Sequence, residues 1–281
     1  MNYLNSFELK NLVKDALKED AAARDITTGM FVPGNLEARA QLTAREKMVV
    51  CGINIAAKAF KLLDKKLKFK PLIKDGQTAA KGAALALIKG NACAILSAER
   101  VALNFLSFLS GTATQTRLFV DAIKPYRTKI LDTRKTIPGL RLLQKYAVRC
   151  GGGYNHRFAL DEMILVKDNH LELIGGCSNV GRFNSRLKTE IEVKSLKELV
   201  EALKLKPDII MLDNMSIKDM KKAVQARDNT QGARHKVLLE ASGNISLGNA
   251  KKVAATGVDM ISIGSLTHSV GSADISLDIK I

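Results

Sequence analysis

DTRKTIPGLRLLQKYAVRCGGGYNHRFALDEMILVKDNH, residues 132–170, decides how the rest of the chain is read. It sets Arg134, Lys135, Arg141, His156, Arg157, Lys167, Asp168 and His170 among Pro138, Gly139 and the run Gly151 to Gly153. A solvated helix face would alternate charge signs at helical spacing, whereas these charges sit where short apolar runs stop. Asp132-Thr133-Arg134-Lys135 follows Ile130-Leu131, and Lys167 to His170 follows Met163 to Val166. Between them Leu140, Leu143, Ala147 and Val148 recur at helical spacing and end at the glycines. The order is strand, charged loop, helix, glycine stop, strand, charged loop. Cations dominate it, so a pocket formed by these loops suits an anion with several charges.

Toward the C-terminus, strand-like runs recur at Ile191 to Val193, Ile209 to Leu212, Val237 to Leu239 and Met260 to Ile263. Helical patterns lie between most of them, at Leu196 to Leu203, Ile217 to Ala226 and Ala250 to Ala255, which predicts parallel strands with crossover helices. At or just past the strand ends stand the Glu190/Glu192 pair, Asp213-Asn214, Glu240 with Ser242-Gly243-Asn244, and Gly264-Ser265. In a parallel barrel such ends converge on one face, where these enzymes place catalytic groups. The repeat starts only near residue 129 and a full eight-stranded barrel takes about 250 residues, so an incomplete barrel is expected.

Toward the N-terminus, Leu9, Leu12, Val13, Ala16 and Leu17 share one helix face with Ser6 as N-cap. An extended stretch from Leu36 to Val50, a helix from Ile53 to Leu63 and strands about Leu67 to Ile73 and Ala83 to Ile88 predict an α/β unit with antiparallel pairing. A long helix is expected from Ala92 to Leu109, broken or capped by Gly111. Taken alone, Glu99 and Arg100 in it read as an exposed helix face.

The 281 residues, 46% hydrophobic and 26% charged, have globular composition and can bury a sizeable core without cross-links. No apolar run approaches membrane-spanning length, and MNYLNSFELK lacks the pattern of a secretory leader, so a cytoplasmic protein is expected. Cys51, Cys93, Cys150 and Cys177 stand far apart without zinc-ligand spacing and read as reduced thiols. A Cys150–His156 catalytic pair can be drawn, but nothing marks that thiol as activated. The net charge of +16 admits nucleic acid, anionic membranes or acidic small substrates. With 5% aromatic residues and no interleaved aromatic stripe, Lys65, Lys66, Lys68, Lys70, Lys221, Lys222, Lys251 and Lys252 read as solvated surface; no specific nucleic-acid partner and no membrane is expected.

DTRKTIPGLR, KYAVRCGGGYNHR and LVKDNH closely resemble the quinolinate phosphoribosyltransferase family, and AERVALN (residues 98–104) is similar to a further segment of it. The resemblance covers nearly the whole chain. It is weakest before Ala40 and from Gly175 to Lys188, where Arg182 and Arg186 have no assignment. Ala159, Ile137 and Ser107-Phe108 depart from the family's usual residues without removing a charged group. The resemblance implies an N-terminal α/β sandwich-like domain (1–112), an incomplete parallel α/β barrel of the type II phosphoribosyltransferase kind (113–268) and a tail (269–281) returning to the first domain. It implies transfer of phosphoribosyl from phosphoribosyl pyrophosphate to quinolinate with decarboxylation, giving nicotinate mononucleotide, pyrophosphate and CO2 for NAD biosynthesis.

By the same resemblance Arg134, His156, Arg157 and Lys167 bind the dicarboxylate, with Arg100 reaching in from a neighbouring subunit of a homodimer or higher homo-oligomer. Arginine's planar fork matches carboxylates and lysine acts as a point charge. Thr133 and Lys135 belong to the DTRK segment on the ribose or phosphate side. In so basic a pocket Glu192 and Asp213 suit Mg2+ carried by pyrophosphate, or stabilise an oxocarbenium-like sugar; with Lys135 they are the expected catalytic groups. Ser242, Gly243, Asn244, Gly264 and Ser265 would cradle the 5′-phosphate with backbone amides, although two tight turns would read the same way. No organic cofactor is implied. Competing readings are a nicotinate phosphoribosyltransferase or a molybdenum-transport-associated homologue on the same fold, a Schiff-base lyase using Lys135 or Lys167, and a basic nucleic-acid-binding protein.

Overall fold

A computed structural model describes residues 6–280 apart from Arg182, Asn184 and residues 231–236; the side chains of Ser6, Phe7 and Lys280 also lie outside the description. The chain divides into two compact units. One comprises residues 1–117, 138–152 and 269–281, the other residues 118–137 and 153–268.

In chain order the elements of the first stretch are α1 (Ser6–Glu19), α2 (Ile26–Phe31), β1 (Glu37–Ala44), β2 (Met48–Val49), α3 (Ile53–Leu63), β3 (Lys68–Pro71), β4 (Thr78–Ala79), β5 (Ala84–Asn91) and α4 (Ala92–Ala122). There follow β6 (Lys129–Leu131), α5 (Arg141–Cys150), β7 (Ile164–Val166), α6 (Asp168–Ile174), β8 (Thr189–Val193), α7 (Leu196–Leu205) and β9 (Ile209–Asp213). The chain ends with α8 (Ile217–Thr230), β10 (Leu238–Ser242), α9 (Leu247–Ala254), β11 (Met260–Ser262), α10 (Ser265–His268) and β12 (Ile275–Lys280).

The first unit carries an antiparallel sheet in the order β12-β1-β5-β3 and a small β2-β4 pair. The single extended stretch expected from Leu36 to Val50 is therefore two strands on two sheets. The apolar face of α1 is buried through Leu9, Val13 and Leu17, and α3 buries Ile55, Ala56, Ala59 and Phe60 in the same core. Asp25 caps α2 by accepting from the Thr28 N–H at 3.0 Å; the Thr28 hydroxyl, donating to it at 2.6 Å, and then that N–H hold its carboxyl below the usual range.

Gly111 does not end α4, which runs unbroken for 31 residues. The glycine is there for close approach: a Cβ at this position would collide with the carbonyl of Gly271 and crowd the N–H of Ala273 at 3.2 Å. Gly111→Ala is expected to cost about 1–3 kcal/mol through overpacking and to lower the melting temperature; an unchanged melting curve would show that the C-terminal tail yields freely. By length and composition α4 could cross a membrane, contrary to the reading of the sequence, yet Ile95, Ala98, Ala102, Leu106 and Leu109 on it are buried in the protein core. It is a core helix.

The second unit is built on six parallel strands in the order β6-β11-β10-β9-β8-β7. β8 is buried along its whole length and β9 along all but Asp213, as in parallel sheets covered on both faces. β6 and β7 are its two edges and do not pair with each other, so the barrel is incomplete. Tyr154 adds to the β6 edge, donating to Ile130 O at 2.8 Å and accepting from Asp132 N–H at 3.1 Å. That pairing delivers Asn155, His156 and Arg157 to the strand ends. The lysines read as solvated surface are exposed.

Candidate active site

Parallel register brings the strand ends level. Glu192 on β8 pairs with Met211 on β9, Met211 with Glu240 on β10, and Asp213 with Ser242 two residues further on. Because side chains alternate along a strand, Glu190 and Glu192, Met211 and Asp213, and Glu240 and Ser242 point to one side. All but Glu190 line a cavity of about 850 Å3 together with residues from the loops after β6, β7 and β11. The small cluster of Leu131, Met163, Ile209 and Met260 is buried nearby.

Thr133, Arg134, His156, Arg157 and Lys167 are among the residues that line it. Arg157 gives one terminal N–H to Met163 O at 2.8 Å, but its Nε and that of Arg134 are buried and donate to nothing in the protein. Burial and the neighbouring Arg134 charge lower the affinity of the Arg157 guanidinium for its proton, partly offset by Glu190. Two cations with unmatched donors beside one cavity form a receptor for an anion. Lys167 Nζ meets Glu192 Oε2 at 2.9 Å. Asp168 and His170, counted with the charged loop, instead open α6: His170 Nδ1 accepts from Lys167 N–H at 2.9 Å, and Asp168 pairs with Lys194 at 2.7 Å.

His156 is held on both sides of its ring. Nδ1 accepts from the Arg157 N–H at 2.8 Å, so the proton sits on Nε2, which faces Glu190 Oε2 at 3.0 Å and Glu240 Oε1 at 3.9 Å. This arrangement has no place for a Cys150–His156 catalytic pair. Buried Asp132 fixes the same segment, accepting from Asn155 Nδ2 at 2.5 Å and from the His156 N–H at 2.9 Å.

Glu190 and Glu240 are fully buried, and both oxygens of Glu240 lack a hydrogen-bond donor. Burial, then the Glu190 charge, pushes the Glu240 carboxyl up to about 8, against the pull of His156. The folded protein thus holds a proton that an unfolded carboxyl has already lost, and stability falls as pH rises from the unfolded value near 4.5 toward 8. At about 1.4 kcal/mol per unit, the cost is at most roughly 3 kcal/mol at neutral pH. Glu240→Gln is therefore expected to match the wild type at pH 5 and to exceed it progressively in melting temperature above pH 6; parallel melting curves across this range would refute the assignment.

The loops after β9, β10 and β11 make close backbone turns at the same cavity. Gly243 has φ +91°, Asn214 and Asn244 have φ 54° and 51°, and a Cβ on Gly243 would collide with the Asn214 amide. Asn244 Nδ2 donates to Asn214 Oδ1 at 2.9 Å, and Asn214 Nδ2 to Asp213 Oδ2 at 3.0 Å. Near Gly264-Ser265 the Lys135 side chain passes so close that a Cβ on Gly264 would stand 3.3 Å from its Cδ. Lys135 O accepts from Thr267 Oγ1 at 2.6 Å, tying the loop after β6 to α10.

Comparison with known proteins settles the family. The model of the C-terminal domain of quinolinate phosphoribosyl transferase matches residues 112–278, and that of its N-terminal domain matches residues 25–110. The chain belongs to the quinolinate phosphoribosyltransferase family. It is 40% identical to a probable nicotinate-nucleotide pyrophosphorylase (carboxylating) of Methanocaldococcus jannaschii, over 98% of both chains. It is 39% identical to the Mycobacterium leprae protein of that name over 96% of both chains. The solved nicotinate-nucleotide pyrophosphorylase of Francisella tularensis superposes with a TM-score of 0.90 at 42% identity, covering 99% of this chain and 98% of that one.

Every residue that the resemblance to quinolinate phosphoribosyltransferases singled out lines this one cavity, except Arg100. Arg100 is exposed on α4 in the first unit and lines a cavity of about 620 Å3 there with Asn104 and Phe105. His268 lines the site without having been read from the sequence. The buried acids had a legible signal: Glu190 and Glu192 stand two apart in an otherwise apolar strand, which puts both on one face. Among the described residues, His156, Glu190 and Glu240 bring donor atoms within 4.8 Å of one another, as a metal site would. Glu192 and Asp213 form no such group, so a cation held there must take further oxygens from its substrate.

Proposed function

We infer that this chain transfers the phosphoribosyl group of phosphoribosyl pyrophosphate to quinolinate with loss of CO2, forming nicotinate mononucleotide and pyrophosphate in NAD biosynthesis. The observation that carries this reading is the pair of buried, unmatched guanidinium donors of Arg134 and Arg157, with Lys167 beside them. A dicarboxylate supplies the acceptors they lack and relieves the repulsion between them. A monocarboxylate satisfies fewer of these donors.

Arg134, Arg157 and Lys167 orient the pyridine ring; His156, both of whose ring nitrogens are engaged by the protein, supports it with its carbon edge. The amides of Ser242 to Asn244 and Gly264-Ser265 hold the 5′-phosphate, and Lys135 lies between the two substrates. The ring nitrogen attacks the anomeric carbon as pyrophosphate leaves. Glu192 and Asp213 offset the positive charge that develops on the sugar. The pyridinium then takes up the electron pair left when the adjacent carboxylate departs as CO2, and a proton replaces it. Two carboxylates plus substrate oxygens are the donor set that Mg2+ accepts, so Glu192 and Asp213 would hold it with pyrophosphate, where it would neutralise the leaving group.

The reading extends to a homodimer or larger homo-oligomer in which Arg100 serves a neighbouring site, and to a cytoplasmic setting consistent with four free cysteines. Equilibrium binding tests the acceptor: quinolinate should bind at least tenfold more tightly than nicotinate. Equal affinities would favour a monocarboxylate acceptor instead.

A further inference from the structure

Away from the pocket, the first unit holds a second cluster of reactive side chains. Cys51 lies between β2 and α3 with its thiol fully buried, and its N–H donates to Ser110 Oγ at 3.0 Å. Cys150 is the last residue of α5 and is partly exposed. The two sulfurs and one oxygen of Asp75 lie within 4.8 Å of one another. Asp75 is already engaged, accepting the N–H groups of Gly52 and Ile53 at 3.0 Å each and the Tyr146 hydroxyl at 2.8 Å. What remains is a thiol pair.

The surrounding backbone holds this pair in place. A Cβ on Gly76 would stand 3.4 Å from Cys150 O, and one on Gly151 would stand 2.5 Å from Thr116 Cβ, so the chain at and just after Cys150 is tightly packed. We propose that Cys51 and Cys150 form a modification site, a dithiol that a peroxide converts to an intramolecular disulfide, with Cys150 as the attacking sulfur and Cys51 as the resolving one.

The two thiols are unequal in the required sense. The hydrogen bond from Cys51, and after it that from Tyr146, holds the Cys150 thiol below its usual value despite burial. Burial pushes Cys51 well above it. Cys150 is also the more accessible, and thiolate character with access is what selects a thiol for oxidation. The Cys150 thiolate attacks one peroxide oxygen, the O–O bond breaks, and the departing hydroxide takes a proton, leaving a sulfenic acid. The Cys51 sulfur then attacks Cys150; the S–S bond forms, the S–O bond breaks, and the hydroxyl leaves with the Cys51 proton as water. Two thiols are oxidised by two electrons and one peroxide is reduced to two waters. Cys93 and Cys177 serve as internal controls.

The test uses the reduced full-length protein, treated with hydrogen peroxide at neutral pH, blocked with N-ethylmaleimide and digested without reduction for mass spectrometry. Expected is a cross-linked peptide pair containing Cys51 and Cys150, with titratable thiols falling from four to two and restored by dithiothreitol. In Cys51→Ser the cross-link should vanish and Cys150 should accumulate as a dimedone-trapped sulfenic acid. Bridges to Cys93 or Cys177, or both target thiols recovered as maleimide adducts, would overturn the proposal. So would stoichiometric zinc in the purified protein that shields both thiols until a chelator removes it.

Discussion

Replacing Arg157 with alanine is expected to raise KM for quinolinate by about 10²- to 10³-fold, the loss typical of removing one partner of a desolvated, charge-assisted contact. KM for phosphoribosyl pyrophosphate should stay within roughly threefold, because the phosphate-binding turns lie on other strands. The asymmetry follows from the geometry: the guanidinium is anchored by Met163 O, its Nε is buried without an acceptor, and Arg157 lines the same cavity as Arg134. Arg157→Lys should recover little, since an ammonium cannot keep the Met163 contact and present a planar fork as well. Steady-state kinetics with each substrate varied in turn separates the cases. Equal rises in both KM values would mean that Arg157 supports the site generally and does not recognise the acceptor.

Asp213→Asn is expected to lower kcat by about 10²- to 10³-fold, the range seen when a group stabilising transition-state charge is removed, with little change in KM for quinolinate. Asp213 ends β9, with Oδ2 held by Asn214, so the amide should keep the fold while losing the charge. Glu192→Gln should lower kcat similarly, but it also frees Lys167 from its 2.9 Å ion pair. Tighter quinolinate binding in Glu192→Gln, absent from Asp213→Asn, would be the signature of that release. If kcat survives in both variants, neither carboxylate acts on the developing sugar charge.

Much of this site was legible in the sequence because parallel strands turn order along the chain into convergence in space. Charged residues after Leu131, Val166 and Leu212 and polar ones after Ala241 meet on one rim for that reason alone. Less legible were features fixed by contacts distant in sequence. Gly111 reads as a helix stop until the approach of Gly271 explains it. Lys167 to His170 reads as a charged loop, yet His170 spends its imidazole on a helix start. The edge pairing of Tyr154 with β6 has no local pattern, although it is what places His156 and Arg157. Glu240 looks like any residue at a strand end; only its complete burial beside Glu190 reveals a proton held inside the barrel.

The decisive measurement is turnover of quinolinate labelled with carbon-14 in the carboxyl group adjacent to the ring nitrogen, in the presence of phosphoribosyl pyrophosphate and Mg2+. Nicotinate mononucleotide, pyrophosphate and labelled CO2 are expected in equal amounts, with no nucleotide formed from nicotinate. Nucleotide formation from nicotinate, with quinolinate left untouched and no CO2 released, would contradict the assignment of this pocket to a dicarboxylate.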